Sequence, residues 1–406
     1  MKIISVVGAR PNFMKISPFI HAINDYNTKA AISGKQDIEH ILVHTGQHYD
    51  DRMSQNFFQQ LNIPQADINL GIGSGTHAEQ VGQTMIEFEK VLRKYKPDWV
   101  VVVGDVNATL ACSVTAKKEW VKCCHIEAGL RSGDITMPEE VNRLVTDRLS
   151  DLLLTPDELS SENLRKEGTD ESRIVFVGNI MIDTLEANRE KAENLSIQDI
   201  INKNQINHTT MPTGIQINQS INQPINQSII KSSPKDDHYA VMTLHRPSNV
   251  DDKKVLEPIV NFLMNEVASD YTLIWPIHPR TRKNLVDFGL YEQVANHPNL
   301  ILLEPLGYFE MLRLNMGAKV MLTDSGGLQE ECTILGTPCL TLRWNTERPI
   351  TLSEHGGASV LVGNNVERIR EEYRIAISKT RQPIRPPLWD GNTAQRCLEA
   401  ILGKVI

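Results

Sequence analysis

Short apolar runs that stop at a glycine or an acid, with segments of helical spacing between them, constrain this chain more than any other feature. WVVVV, residues 99–103, stops at Gly104-Asp105. Val121 through Ile126 delivers His125 and Glu127 before Ala128-Gly129. Earlier, Lys2 to Val7 ends at Gly8, and His40 to His44 leaves through Thr45-Gly46. Helical spacing over 13–24, 54–61 and 78–95 separates these runs. Strand, helix, strand, helix, strand predicts an α/β fold with a doubly wound parallel sheet. In such a sheet ligands bind beyond the carboxyl ends of the strands. Asp105 and Glu127 stand at or just past two such ends, and Glu139-Glu140 follows on a loop that opens a helix. The bland reading makes them helix caps or salt-bridge partners. One acid alone favours that reading. Three acids, each beside glycine or proline punctuation, favour a catalytic centre in which carboxylates tune one another and share acid and base work.

At 406 residues the chain exceeds one ordinary core, so two domains are expected. A formal net charge of −8 does not invite nucleic acid or an anionic membrane, and no run approaches spanning length. A phosphate ligand must therefore meet a local cluster of Arg, Lys and His. The six cysteines lie in apolar or helical patterns with no C-x-x-C pair, which reads as reduced core residues of a cytoplasmic protein. Lys2 to Val7 reads as a buried first strand, not a signal peptide.

After the first strand, Arg10 follows a turn glycine and Lys15 lies in the first turn of a helix, a phosphate-cradle arrangement. No G-x-G-x-x-G is present, which weighs against a nicotinamide dinucleotide. Strands at 151–154 and 174–177 and a helix at 181–193 lead to a domain hinge. Residues from about 201 to 237 are rich in Asn, Gln and Ile, with "INQ" recurring, and read as a surface insertion. Alternation resumes at Tyr239. Strands end at His245, at His278-Arg280 and at Thr323-Asp324, with Ser325-Gly326-Gly327 opening a helix whose free N–H groups suit a diphosphate. Ser or Asp before a helix is also an ordinary cap. Glu331 one turn later can accept from both hydroxyls of a ribose, and Arg343 and Arg348 follow the next strand, where Arg348 can neutralise phosphates. A last helix at 398–402, after Pro383, Pro386 and Pro387, is placed back on the first domain.

Seven motifs occur in order over nearly the whole chain: GARPNFMK, GDVNAT, HIEAGLRSGD with PEEVNR, TLHRP, PIHPR, TDSGGLQEE and TERP. Together they resemble the non-hydrolysing UDP-N-acetylglucosamine 2-epimerases. The resemblance implies the GT-B architecture, two Rossmann-like domains with parallel sheets flanking a deep cleft. It places residues 1–180 with a helix at 388–406 in the first domain, and 181–387 in a UDP-binding second domain. It implies elimination of UDP from the sugar, a 2-acetamidoglucal intermediate, and re-addition after C2 is protonated on the other face. By motif match Asp105, Glu127 and Glu139 are the acid/base carboxylates and His245 the essential histidine. Arg10, Lys15, Ser325, Gly326, Gly327, Glu331, Arg343 and Arg348 hold UDP, with His278 as a further diphosphate candidate. Leu306 and Met311 fall where the family holds uracil, although many relatives carry an aromatic in place of Met311. No metal and no cofactor is implied. The partners implied are a UDP-sugar and a second copy of the chain, in a cytoplasmic homodimer that supplies surface polysaccharide synthesis. Substrate-activated members carry Gln-His-Arg and His-Arg-Arg-Glu where this chain has Gln47-His48-Tyr49 and His245-Arg246-Pro247-Ser248. Gln47, His48 and Arg246 remain as regulatory candidates. The competing readings are another UDP-2-acetamido sugar as substrate, a hydrolysing epimerase, a GT-B glycosyltransferase and a nucleotide-sugar sensor. A transferase has no use for all three carboxylates, and a sensor would be expected to have lost one.

Overall fold

The computed structural model describes residues 1–8, 10–34, 36–46, 65–206 and 235–403. The expected helix at 54–61 and most of the Asn/Gln-rich insertion lie outside these residues. The chain divides into two compact units. The first comprises Met1–Arg189, Asn345–Gly356 and Arg385–Ile406, and the second Glu190–Trp344 and Gly357–Ile384.

The first unit carries seven parallel strands: β1 (Lys2–Val7), β2 (Glu39–His44), β3 (Ile68–Asn69), β4 (Trp99–Val103), β5 (Lys122–Ile126), β6 (Leu152–Thr155) and β7 (Ile174–Phe176). Their spatial order is β3-β2-β1-β4-β5-β6-β7. The strands are near-continuous apolar runs because helices cover both faces of a parallel sheet. Val100 to Val103 are all buried, and the register sets Val101 beside Ser5 on β1 and Cys124 on β5. The order reverses between β1 and β4, so the loops leaving those two strands part and open a crevice. Helix His77–Tyr95 begins with a reciprocal cap between Thr76 and Glu79. The C-terminal helix is Thr393–Ile401, longer than the spacing indicated. Asp183 fixes its start by accepting from the backbone N–H groups of Thr393 and Ala394 at 3.0 and 2.7 Å.

The second unit repeats the plan with six parallel strands: β8 (Tyr239–Thr243), β9 (Thr272–Pro276), β10 (Leu300–Leu303), β11 (Val320–Thr323), β12 (Cys339–Thr341) and β13 (Ser359–Leu361). Their order is β10-β9-β8-β11-β12-β13, so the reversal falls between β8 and β11. Two apolar clusters fill the two faces of this sheet, one containing Trp275 and Phe262, the other Ile274, Leu303 and Cys332. All six cysteines are buried and unbridged. No helix among the described residues is long and apolar enough to cross a membrane.

One segment is redistributed. The sequence reading put residues 345–356 with the second domain, and the structure packs them in the first unit. The reason is electrostatic: Arg348 enters a buried ion pair with Glu127, at the end of β5.

Candidate active site

At the first unit's switch point the chain builds a buried charge cluster. Gly104 follows β4 at φ +69°. A Cβ there would lie 3.2 Å from Lys15 Nζ, 3.2 Å from Asn12 Nδ2 and 3.4 Å from Glu127 Oε2. Only glycine takes that turn without strain and leaves the space for these groups. Asn12 donates to Val103 O at 2.7 Å, which ties helix Arg10–Ser33 to the end of β4. Lys15 Nζ donates to Glu127 Oε2, and Arg348 Nη2 donates to Glu127 Oε1 at 3.0 Å. All three side chains are buried, and Arg348 also pairs with Glu347. Burial pushes the Glu127 carboxyl up, but the two cations outweigh it and hold it below the usual range. Glu127 itself sits at φ +75°, unusual for a residue with a side chain. The N–H groups of Glu127 and Ala128 both donate to Leu154 O at 3.0 Å, which holds this turn against β6.

Asp105 is gripped by Arg143, whose guanidinium is pinned from behind by Glu140 at 2.9 and 2.6 Å. Glu140 in turn accepts from the N–H groups of Ser132 and Gly133. Asn142 donates to Asp105 O at 2.8 Å. Removing one partner from such a buried pair costs about 3–5 kcal/mol, so these charges fix the loop as well as its electrostatics. Glu139 stands on the first turn of helix Pro138–Leu149, exposed, and makes no ion pair with the described residues.

The second switch point is simpler. Asp324, fully buried after β11, accepts from the backbone N–H groups of His245 and Arg246 at 3.0 and 2.8 Å, and from Asn249 Nδ2 at 3.1 Å. His245 Nδ1 lies 2.7 Å from Asp324 Oδ1. Burial pushes Asp324 up, and His245 with these N–H donors brings it below the ordinary carboxylate range. This fixes the imidazole and leaves its other nitrogen for a ligand. Arg246 donates through Nε to Asp324 O at 3.1 Å. The His278 ring lies 5.6 Å from that of His245, and its Nδ1 accepts from Arg280 N at 3.2 Å. Burial and the neighbouring His245 hold His278 below the usual imidazole range. Ser325 precedes helix Gly326–Leu335 and its hydroxyl makes no capping bond, while a Cβ on Gly327 would meet open space. Glu331 is buried in that helix, and burial pushes it up to about 7, with Asn315 opposing and Glu330 adding to the push. Leu306 is buried, and Met311 packs against the same cluster. Arg343 is buried just past β12.

The structure thus brings Lys15, Glu127 and Arg348 into contact, sets Asp105 on the neighbouring turn, and pairs His245 with Asp324. Arg10 opens its helix, but its side chain lies outside the described placement, as do Gln47 and His48. The sequence reading assigned no role to Asn12, His125, Arg143 or Asp147. Arg143 had a signal in its i,i+3 spacing from Glu140 on a helix.

The family described as UDP-N-acetylglucosamine 2-epimerase matches residues 30–402. The chain belongs to that family. Its enzyme class is isomerase. A Methanocaldococcus jannaschii protein named UDP-N-acetylglucosamine 2-epimerase is 39% identical over 402 residues, 99% of each chain. A crystal structure of the M. jannaschii UDP-GlcNAc 2-epimerase in complex with UDP-GlcNAc and UDP superposes with a TM-score of 0.82 at 38% identity, covering 99% of this chain and 100% of that one. A Pseudomonas aeruginosa protein named UDP-2,3-diacetamido-2,3-dideoxy-D-glucuronate 2-epimerase is 37% identical over 385 residues, 94% of each chain. The two parallel sheets flanked by helices match the GT-B-like, two-domain plan of the epimerase structures.

Proposed function

We propose that the chain interconverts UDP-N-acetylglucosamine and UDP-N-acetylmannosamine by inversion at C2. A base removes the C2 proton while the bond from C1 to the diphosphate oxygen breaks. UDP leaves with the electron pair, and a 2-acetamidoglucal remains. A proton then adds to the opposite face of C2 and UDP re-adds at C1. The sum is redox-neutral, so no nicotinamide is required. In this reading Asp105, Glu127 and Glu139 supply the acid and base. His245 stabilises the departing diphosphate, helped by His278, Lys15 and the cations at 343 and 348. The helix opened by Ser325, Gly326 and Gly327 receives phosphate, Glu331 the ribose hydroxyls, and Leu306 and Met311 the uracil. Arg10 is a further phosphate contact, and Gln47, His48 and Arg246 are regulatory candidates. A cytoplasmic homodimer that feeds surface polysaccharide synthesis belongs to the same proposal.

The observation that carries the reading is the pair of carboxylates on neighbouring strand ends. Glu127 is kept ionised between two cations, and Asp105 is aimed by Arg143. A general base must be unprotonated and fixed, and this one is both. The 37% identity to the P. aeruginosa enzyme supports a second reading, the same chemistry on a C6-oxidised, 3-acetamido sugar.

Proton NMR in heavy water with UDP-N-acetylglucosamine tests both. A manno product carrying deuterium at C2 supports the first reading. Release of free N-acetylmannosamine with stoichiometric UDP replaces it with a hydrolysing enzyme. Turnover only of the diacetamido-glucuronate sugar selects the second.

A further inference from the structure

Helix Pro138–Leu149 carries Arg143 and Asp147 one turn apart, so both project from one face. That face meets the turns after β4 and β5. Arg143 grips Asp105 directly. Asp147, buried, reaches both turns at once. Its Oδ2 accepts from Gly129 N at 3.0 Å, two residues past Glu127, and its Oδ1 lies 2.6 Å from His125 Nδ1. The other ring nitrogen of His125, Nε2, lies 2.9 Å from Gly104 O, the residue before Asp105. Both ring nitrogens are therefore engaged. The Gly104 peptide is thereby held at each end, its N–H by Ile126 O at 3.3 Å and its carbonyl by His125. Gly129 is equally constrained: at φ +82°, a Cβ would lie 2.3 Å from Ser160 O.

We infer that His125 and Asp147 form a buried positioning pair that sets the turn bearing Asp105 in register with the turn bearing Glu127. Neither touches the sugar. The pair acts through the Gly104 carbonyl and the Gly129 N–H, and the two acids of the proposed reaction hang from those turns. This inference rests on the reading of Asp105 as an acid–base residue. It also gives a reason for a histidine in the middle of a buried strand, where a hydrophobe would pack at lower cost.

A pair of substitutions separates positioning from packing. Gln places its amide nitrogen where His places Nε2, and Asn places it where His places Nδ1. His125→Gln therefore keeps the bond to Gly104 and loses that to Asp147, while His125→Asn does the reverse. With kcat and KM measured on UDP-N-acetylglucosamine for the full chain, each variant breaks one link between the two turns and is expected to lower kcat about 100-fold at unchanged KM, the scale of a misplaced catalytic group. Thermal midpoints are measured alongside, and rates are expressed per folded protein. Wild-type kcat in either variant, or a loss that follows folded fraction alone, overturns the inference. Asp105→Asn is the control. A slow Asp105→Asn enzyme beside two unaffected His125 variants defeats the inference and leaves the functional reading standing. Wild-type turnover by Asp105→Asn removes both together.

Discussion

The two units share one strand order, 3-2-1-4-5-6 in each unit's own count, with a seventh edge strand in the first, yet their switch points are furnished differently. In the first, buried charges contact one another: Glu127 between Lys15 and Arg348, and Asp105 on Arg143 with Glu140 behind it. In the second, one aspartate spends its oxygens on backbone N–H groups, the Asn249 amide and one imidazole, and the neighbouring helix carries an unobstructed glycine, Gly327, in its first turn. One topology therefore makes two crevices but does not decide their use. A dense, fully paired charge cluster cannot reorganise cheaply, so it suits groups that must meet a reacting carbon at fixed geometry. An open helix start with few charges suits a ligand that brings its own.

The largest expected effect comes from Glu127→Gln, which is expected to lower kcat by about 10²–10⁴-fold, the scale of lost acid–base catalysis, with UDP affinity retained. The variant also takes from Lys15 and Arg348 the carboxylate they share, leaving Arg348 only Glu347, so its thermal midpoint falls. Lost nucleotide affinity with kcat intact would reverse the division between the units. Next are two glycines. Gly104→Ala puts a methyl group 3.2 Å from Lys15 Nζ at φ +69°. It is expected to destabilise by about 1–3 kcal/mol and to lower kcat at least tenfold as Lys15 is displaced. Gly327→Ala meets open space and should leave the thermal midpoint where it is, yet raise KM about tenfold by crowding a bound phosphate, about 1.4 kcal/mol. Matching effects from the two alanines, in melting curves and in kinetics, would erase the contrast.

Much of this was legible in the chain because glycine and acids punctuate strand ends, where side chains are free of the sheet. Trp99–Val103 with Gly104-Asp105, and Val320–Thr323 with Asp324, announce both the strand and the site. Seven ordered motifs then pointed to the family. Two short edge strands were not legible: Ile68–Asn69 has two residues, too few for a period, and Ser359–Leu361 has three, although the equally short edge strand Ile174–Phe176 was. Nor was the placement of residues 345–356 with the first unit, because an ion pair 221 residues apart leaves no local pattern. His125 read as part of a buried run, and only Asp147, 22 residues on, gives it a role.

The smallest effect on turnover is expected at Glu331, a buried carboxylate that shifts the opposite way from Glu127. Glu127 is held below its ordinary value by cations, and Glu331 is pushed up to about 7 by burial. A carboxyl raised on folding binds more protons folded than unfolded between its two values. Stability therefore falls as pH rises from about 4.5 to about 7, and levels off above. Glu331→Gln removes that slope and is expected to gain at most about 3 kcal/mol over wild type at pH 8, and nothing at pH 4, in denaturant titrations. The ionised form is the one that can accept from two ribose hydroxyls, so wild-type KM should fall a few-fold as pH rises through about 7, and the Gln variant should show a higher, flat KM. A variant whose KM still tightens with pH would assign that titration to another group. A variant no more stable than wild type at pH 8 would mean that Glu331 is already compensated by its neighbours. In either case Glu331 would drop out as the ribose contact, and nucleotide recognition in the second crevice would rest on the helix start at Gly326 together with His245, His278 and Arg343.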